Sequence, residues 1–446
     1  MIALCASLAI GIGWQLNGRL DLSGAMGSLG NATVRVSPGD RANQAASSVP
    51  TVDQETARLG AARDLLAARV AAVRARSKGS WMATVDVPGT AFRGRQSLEY
   101  DNLIKLPISG FSYGAVRAAP ALSAARVRRL GPTAWAATVT GSYSLVGFDR
   151  APQSFDASYT LVRRPGGWRL ADDTDGVNTF QLWDLPGMRV LPGKDVIVIG
   201  NAPESRMREY QTIAGSAVRR VDGVWSRDWN SHVVILTPAT NEEFARLLSR
   251  SSVKGLDQVA AITQGVIESG RRAQGDRVVI NPRAFTALQP IGRRVVISHE
   301  LTHVAARSST TSPVPIWLTE GMADYVGYSG LGLARQRVAS ELLASVRAGK
   351  GPTALPTERD FDPSRTTIAP SYSESWLAVS RLVDLYGQAK VVAFYRVVAS
   401  APSTDGVAPD PDAAAALAFP HSFGVTEARF VIGWRHYLST LAHLGR

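Results

Sequence analysis

The stretch RVVISHELTHVAAR, residues 294–307, sets two histidines four apart around a glutamate inside an otherwise apolar run. Wound as a helix, it puts Ile297, Leu301 and Val304 on one side, at spacings of four and three. His299 and His303 then stack one turn apart on the other side, with Glu300 beside them. Val295 and Val296 add apolar surface near the histidines, so the pattern predicts a buried helix. A buried carboxylate without a partner costs several kcal/mol. A divalent cation removes that cost: two neutral imidazoles ligate it, and Glu300 faces a water at the metal. The competing reading is a core helix that happens to carry polar groups, and a third ligand decides between them.

That ligand is available. Seventeen residues past His303 comes Glu320, in PIWLTEGMADYV, residues 315–326. Pro313 and Pro315 break the chain between the two helical patterns, and Pro315 suits the start of the second. Glu320 and Asp324 are four apart and share a helical face, so both are expected to point back at the histidines. Glu320 is the expected ligand, and Asp324 the expected acceptor for an imidazole N–H.

HELTH followed by WLTEGMADY resembles the gluzincin branch of the zincin metallopeptidases. The motif pair covers residues 299–325, and the wider order of elements covers 188–446, with DRVVINP as an edge strand before the motif helix and a helical lobe behind it. The interval from His303 to Glu320 is slightly shorter than in thermolysin-like members, and is similar to a short W-L-x-E-G-x-A variant of bacterial members. The resemblance implies Zn2+ held by His299, His303 and Glu320, with Asp324 orienting a zinc histidine. It implies Glu300 as general base and then proton donor in the hydrolysis of a peptide or protein substrate. The tetrahedral oxyanion needs a further donor, which such enzymes often take from the helical lobe. Tyr372, in APSYSESWLAV, is the first candidate, with Tyr325, His421 and His436 behind it; each also reads as a packing residue. His232 and His443 read as ordinary.

Composition bounds the rest. A chain of 446 residues implies two or three domains, and 45% apolar with 19% charged residues describes a globular protein. The net charge of +12 and pI near 10.1 raise the question of an anionic partner. Yet the basic residues are overwhelmingly Arg, spread along the chain, and no nucleic-acid-binding signature appears, so no nucleic-acid partner is expected. The Arg- and Ala-rich, Lys-poor usage suggests a GC-rich bacterial genome. With Cys5 as the one cysteine, neither an intramolecular disulfide nor a thiolate metal site can form. MIALCASLAIGIGWQL, residues 1–16, reads as part of a signal-anchor segment, and 17–52 as a flexible linker. An anchored protein at the extracytoplasmic face of the cell membrane, or a secreted one, is the expectation.

Residues 53–77 have apolar residues at helical spacing, with Asp53 as a cap. SWMATVDV, ISGFSYGAVRAA, ARVRRLGPTAWAATVTGSYSLVGF and SFDASYTLVRRPGGWRLADDT then read as strands, the last turning tightly at RRPGGW. YTLVRRPGGWRLADD resembles the closing hairpin of nuclear-transport-factor-like domains, which implies such a domain over 53–187. The expected fold is α+β: a long helix on a curved antiparallel sheet, then a zincin-like metallopeptidase domain over 188–446 with a mixed sheet and a helical C-terminal lobe. No phosphate loop or Gly-x-Ser-x-Gly elbow competes with the His-Glu-x-x-His reading. A catalytically silent protein that keeps the zincin fold for binding or scaffolding at the cell envelope is the second reading.

Overall fold

The computed structural model describes residues 51–444 except 87–89, 228, 230, 257–258, 266–272, 274, 363–367 and 404–406. The expected anchor at 1–16, Cys5, and the linker up to residue 50 lie outside the described residues. No described helix is long and apolar enough to cross a membrane. The described chain divides into two compact units. One holds the residues up to Val146 with Ala151–Pro186, and the other Gly187 onward with Gly147–Arg150.

In the first unit, helix α1 (Val52–Arg74) opens with a capping box. The Thr51 hydroxyl accepts from the Gln54 N–H at 3.3 Å, and Gln54 Oε1 accepts from the Thr51 N–H at 3.2 Å. Thr51, not the expected Asp53, is therefore the cap; Asp53 lies in the first turn, where its charge suits the helix dipole. The buried stripe of α1 is Ala62, Leu66, Arg69 and Ala72, so a guanidinium sits within it. Helices α2 (Lys78–Met82) and α3 (Thr90–Leu103) follow. Strands β1 (Ile108–Ala118), β2 (Trp135–Leu145), β3 (Gln153–Arg164) and β4 (Gly167–Asp172) form an antiparallel sheet in sequence order, with α4 (Ala124–Leu130) between β1 and β2.

Two expected strands are corrected here. Ser77 accepts from the Ser80 N–H and starts α2, so SWMATVDV begins as helix; among its described residues Val85 and Asp86 reach the sheet, beside Leu170. Ser123 likewise caps α4, turning ARVRRL into helix before β2 begins. The tight turn stands as expected: Arg164 pairs with Gly167, and Gly166 has φ 90°, a left-handed conformation that glycine adopts without strain.

The second unit has a five-stranded mixed sheet, made of β5 (Arg189–Leu191), β6 (Val196–Gly200), β7 (Val233–Thr237), β8 (Ala261–Gln264) and β9 (Arg277–Ile280). Its order is β5-β6-β7-β9-β8, parallel from β6 through β7 to β9 and antiparallel at both edges. Here the expected edge strand is corrected. DRVVINP supplies β9, which is wholly buried and bonded on both sides, whereas AITQ supplies the edge strand β8. Parallel strands covered on both faces read as unbroken apolar runs, and VIVIG, VVILT and RVVI all do.

Helix α5 (Glu204–Trp225) joins β6 to β7, α6 (Asn241–Leu247) follows β7, and α7 (Pro282–Ala287) follows β9. Beyond them come α8 (Pro290–Arg307), α9 (Ile316–Tyr328), α10 (Arg335–Val338), α11 (Ser340–Arg347), α12 (Ala369–Tyr386), α13 (Gln388–Val398), α14 (Pro411–Phe423) and α15 (Glu427–His443). The chain is thus α+β, with an antiparallel sheet, a mixed sheet and a helical C-terminal region. α8 runs through the core of this unit, and every residue from Val295 to Ala306 is buried.

Candidate metal centre

Two helices build the site, and two glycines let their neighbours close in. A Cβ on Gly327 would lie 3.2 Å from Val295 Cγ1 and from the Val295 carbonyl oxygen on α8. One on Gly321 would stand 2.5 Å from the Ser375 carbonyl oxygen, so α12 packs directly on the backbone of α9. That close packing brings His299, His303, Glu320, Asp324 and Tyr372 together, all less than 5% exposed.

His299 Nδ1 donates to Asp324 Oδ1 at 2.8 Å. That bond places a proton on Nδ1 and leaves Nε2 of the neutral ring with a lone pair. His303 Nε2 lies 3.0 Å from His299 Nε2, and Glu320 Oε2 lies 3.2 Å from His299 Nε2 and 3.6 Å from His303 Nε2. Donor atoms about 2.05 Å from a tetrahedral ion stand roughly 3.3 Å apart. The observed triangle has that size. Glu320 Oε2 is buried and, though close to both rings, meets no hydrogen-bond geometry. These three are the described residues that meet as a possible cation-holding group.

The electrostatics follow from burial and proximity. Burial disfavours the His299 cation, but Asp324 and Glu320 outweigh it and hold the ring well above the usual histidine range. Burial pushes Glu320 upward, and the His303 and His299 rings reverse that, so its carboxyl falls below the ordinary value. For Asp324 burial wins over His299 and the carboxyl is raised. The carboxylates that raise the His299 ring would equally favour a bound cation, so proton and metal compete for the same place.

Glu300 is fully buried beside these ligands. Thr263 Oγ1, on edge strand β8, lies 2.7 Å from Glu300 Oε2 and 3.0 Å from the Glu300 carbonyl oxygen, and donates to one of them at a time. The other carboxylate oxygen, Oε1, is buried with no hydrogen-bond partner. Thr263 carried no sequence signal, because a single threonine in a four-residue strand looks like any other strand residue.

The Tyr372 ring centroid is 6.3 Å from that of His299 and 5.0 Å from that of Phe361. Burial, with the Glu320, Asp324 and Glu300 carboxylates adding, lifts its phenol well above the ordinary value, so it remains an O–H donor. The other candidates stand apart. Tyr325 donates to Gln388 Oε1 at 3.1 Å, while His421 and His436 are exposed on α14 and α15. His232 contacts the Lys194 carbonyl oxygen and His443 that of Ser439. Tyr395 on α13 was not foreseen. Burial, opposed by a bond with Thr319 and aided by Glu320, pushes its phenol up to about 12. Together with Thr263, His303 and Glu320 it lines a cleft of about 360 Å³.

No protein-family model matches the chain, and no curated protein matches its sequence. Among solved structures, native yeast LTA4 hydrolase matches with 14% sequence identity and a TM-score of 0.30. The match covers 58% of this chain and 38% of that one, so it spans well under half of the yeast protein.

Proposed function

We propose that this chain is a zinc-dependent peptidase of the zincin type. The observation that carries the reading is the triangle of His299 Nε2, His303 Nε2 and Glu320 Oε2, with edges of 3.0, 3.2 and 3.6 Å. Two imidazoles and one carboxylate suit zinc, and three protein ligands leave room for a reactant. When bound, zinc would lower the pKa of a water toward ~7 and polarise a carbonyl.

The remaining work falls to the chain's own side chains. Asp324 holds the His299 tautomer that presents Nε2. Thr263 anchors Glu300 and leaves Oε1 free to take a proton from the attacking water, then return it to the leaving amine. Tyr372 is the proposed O–H donor to the developing oxyanion. The burial of Glu300 away from water strengthens each of these interactions. The apolar N-terminal segment supports placing the protein at the extracytoplasmic face of a membrane, with the first unit as an accessory domain of nuclear-transport-factor-like element order.

The test compares wild type with Glu300→Gln on a peptide library, with metal content measured in both. The expected result is cleavage by wild type, a loss of about 10²–10⁴-fold in the variant, and equal zinc. Zinc-loaded wild type that cleaves nothing would instead support the catalytically silent binding protein.

A further inference from the structure

The cleft beside His303 and Glu320 has two chemically different walls. Its floor is apolar: Ala306 of α8, with Val314, Pro315 and Ile316 leading into α9. Its rim carries Glu358, in the 3-10 turn Glu358–Phe361, and Asp410 and Asp412 at the start of α14. Among the described residues, none of these three carboxylates is in an ion pair. The one basic residue of the lining, Arg307, is committed to Asp276 at 2.9 and 3.1 Å.

This concentration runs against the chain's overall charge of +12. It also costs the fold something. Asp412 is raised by burial and by its neighbours Asp410 and Glu358, and Glu427 is pushed up to about 7 by burial and Asp412. His303 and Glu320 line the same cleft, so it opens directly onto the metal site. A compact ion would be served by the carboxylates alone. An apolar floor ending in an acidic rim suits a long aliphatic stem that carries a positive charge at its tip.

We infer that this cleft binds a lysine or arginine side chain of a peptide, its stem over Val314, Pro315 and Ile316 and its charge among Glu358, Asp410 and Asp412. The inference rests on the peptidase reading for the place of the scissile bond, but the binding itself needs no turnover. A basic side chain here lies next to the His303–Glu320 end of the metal site, so it sets which bond is presented for attack. The chain's net charge of +12 disfavours such a peptide in general, so a preference for it requires a local acidic site.

The test uses zinc-loaded Glu300→Gln protein and fluorescent, N-acetylated, C-amidated nonapeptide pools, so that the side chain is the only cation. Pools carry one lysine or arginine at a fixed position, or norleucine or citrulline in its place, and binding is read by anisotropy. The expected result is that basic pools bind about 10-fold tighter than their neutral partners, the scale of one well-placed charge interaction. Glu358→Gln, Asp410→Asn and Asp412→Asn together should erase the preference while zinc content stays as before and Tm does not fall; Asn can still cap α14. Equal binding of basic and neutral pools, or a preference that survives the triple substitution, overturns the inference. A preference that stands while wild type cleaves no peptide would refute the peptidase reading and leave this one intact.

Discussion

Both units bury a polar cluster, and the two clusters are finished to different degrees. In the first unit, Arg69 is 0% exposed, with its guanidinium carbon 3.3 Å from the Trp81 ring centroid. It donates to Gln96 Oε1 at 2.5 Å and pairs with Glu99 at 3.3 Å, so its positive charge is answered inside the protein. In the second unit, two imidazoles and a carboxylate turn their electron-rich atoms toward one point, and oxygens of Glu300 and Glu320 lack hydrogen bonds. Arg69 Nε also lacks a hydrogen bond, but opposite charges meet in the first cluster, whereas the second, open cluster brings electron-rich atoms together and calls for a cation. That contrast is what separates a structural polar network from a site, since burial alone marks both.

Removing a partner should therefore have opposite consequences in the two places. Arg69→Met leaves Glu99 buried without its cation and should cost about 3–5 kcal/mol in denaturant unfolding. Adding Glu99→Leu should recover most of that loss, because a matched apolar pair replaces a matched ionic one. By contrast Glu300→Gln should stay within about 1 kcal/mol of wild type in the metal-free protein, since it alters a carboxylate that the fold leaves half satisfied. Equal destabilisation at both sites would break the comparison.

A smaller effect sharpens it. Thr263→Val removes the bond to Glu300 Oε2 but leaves the triangle untouched. Peptide cleavage should fall about 10-fold through kcat, the worth of roughly 1.4 kcal/mol, with zinc content unchanged and activity restored by Thr263→Ser. Smallest is a pH effect at the acidic rim. Glu427 is raised to about 7, so its favourable neutral form is fully present below the unfolded value near 4.3 and is lost as pH rises through about 7. Glu427→Gln should raise Tm at pH 8 by roughly 2–4 °C, taking solvent screening to leave about 1 kcal/mol, and change nothing at pH 4.

How much of this was readable beforehand depended on distance along the chain. His299, His303, Glu320 and Asp324 fall on two successive helices, so 3.6-residue periodicity and a proline break were enough to set them facing one another. Thr263 lies 37 residues before Glu300 on a strand whose edge position depends on the order of the whole sheet, and DRVVINP was an equally apolar rival for that place. Tyr395 reads as one more core aromatic in VVAFYRVV. In the first unit the class of fold was legible from alternation and the RRPGGW turn. The helices started by Ser77 and Ser123 were not, because their apolar residues also fit a strand. Arg69 in the apolar stripe of α1 gave no sign that it was buried.

The central claim is that the open cluster is completed by a metal. Its most direct test is elemental analysis of purified wild type and His303→Ala after dialysis against zinc and removal of loosely bound ions. About one zinc per chain in wild type and almost none in a folded His303→Ala would agree with the account. A wild type that holds no zinc, or a variant that holds as much, would contradict it.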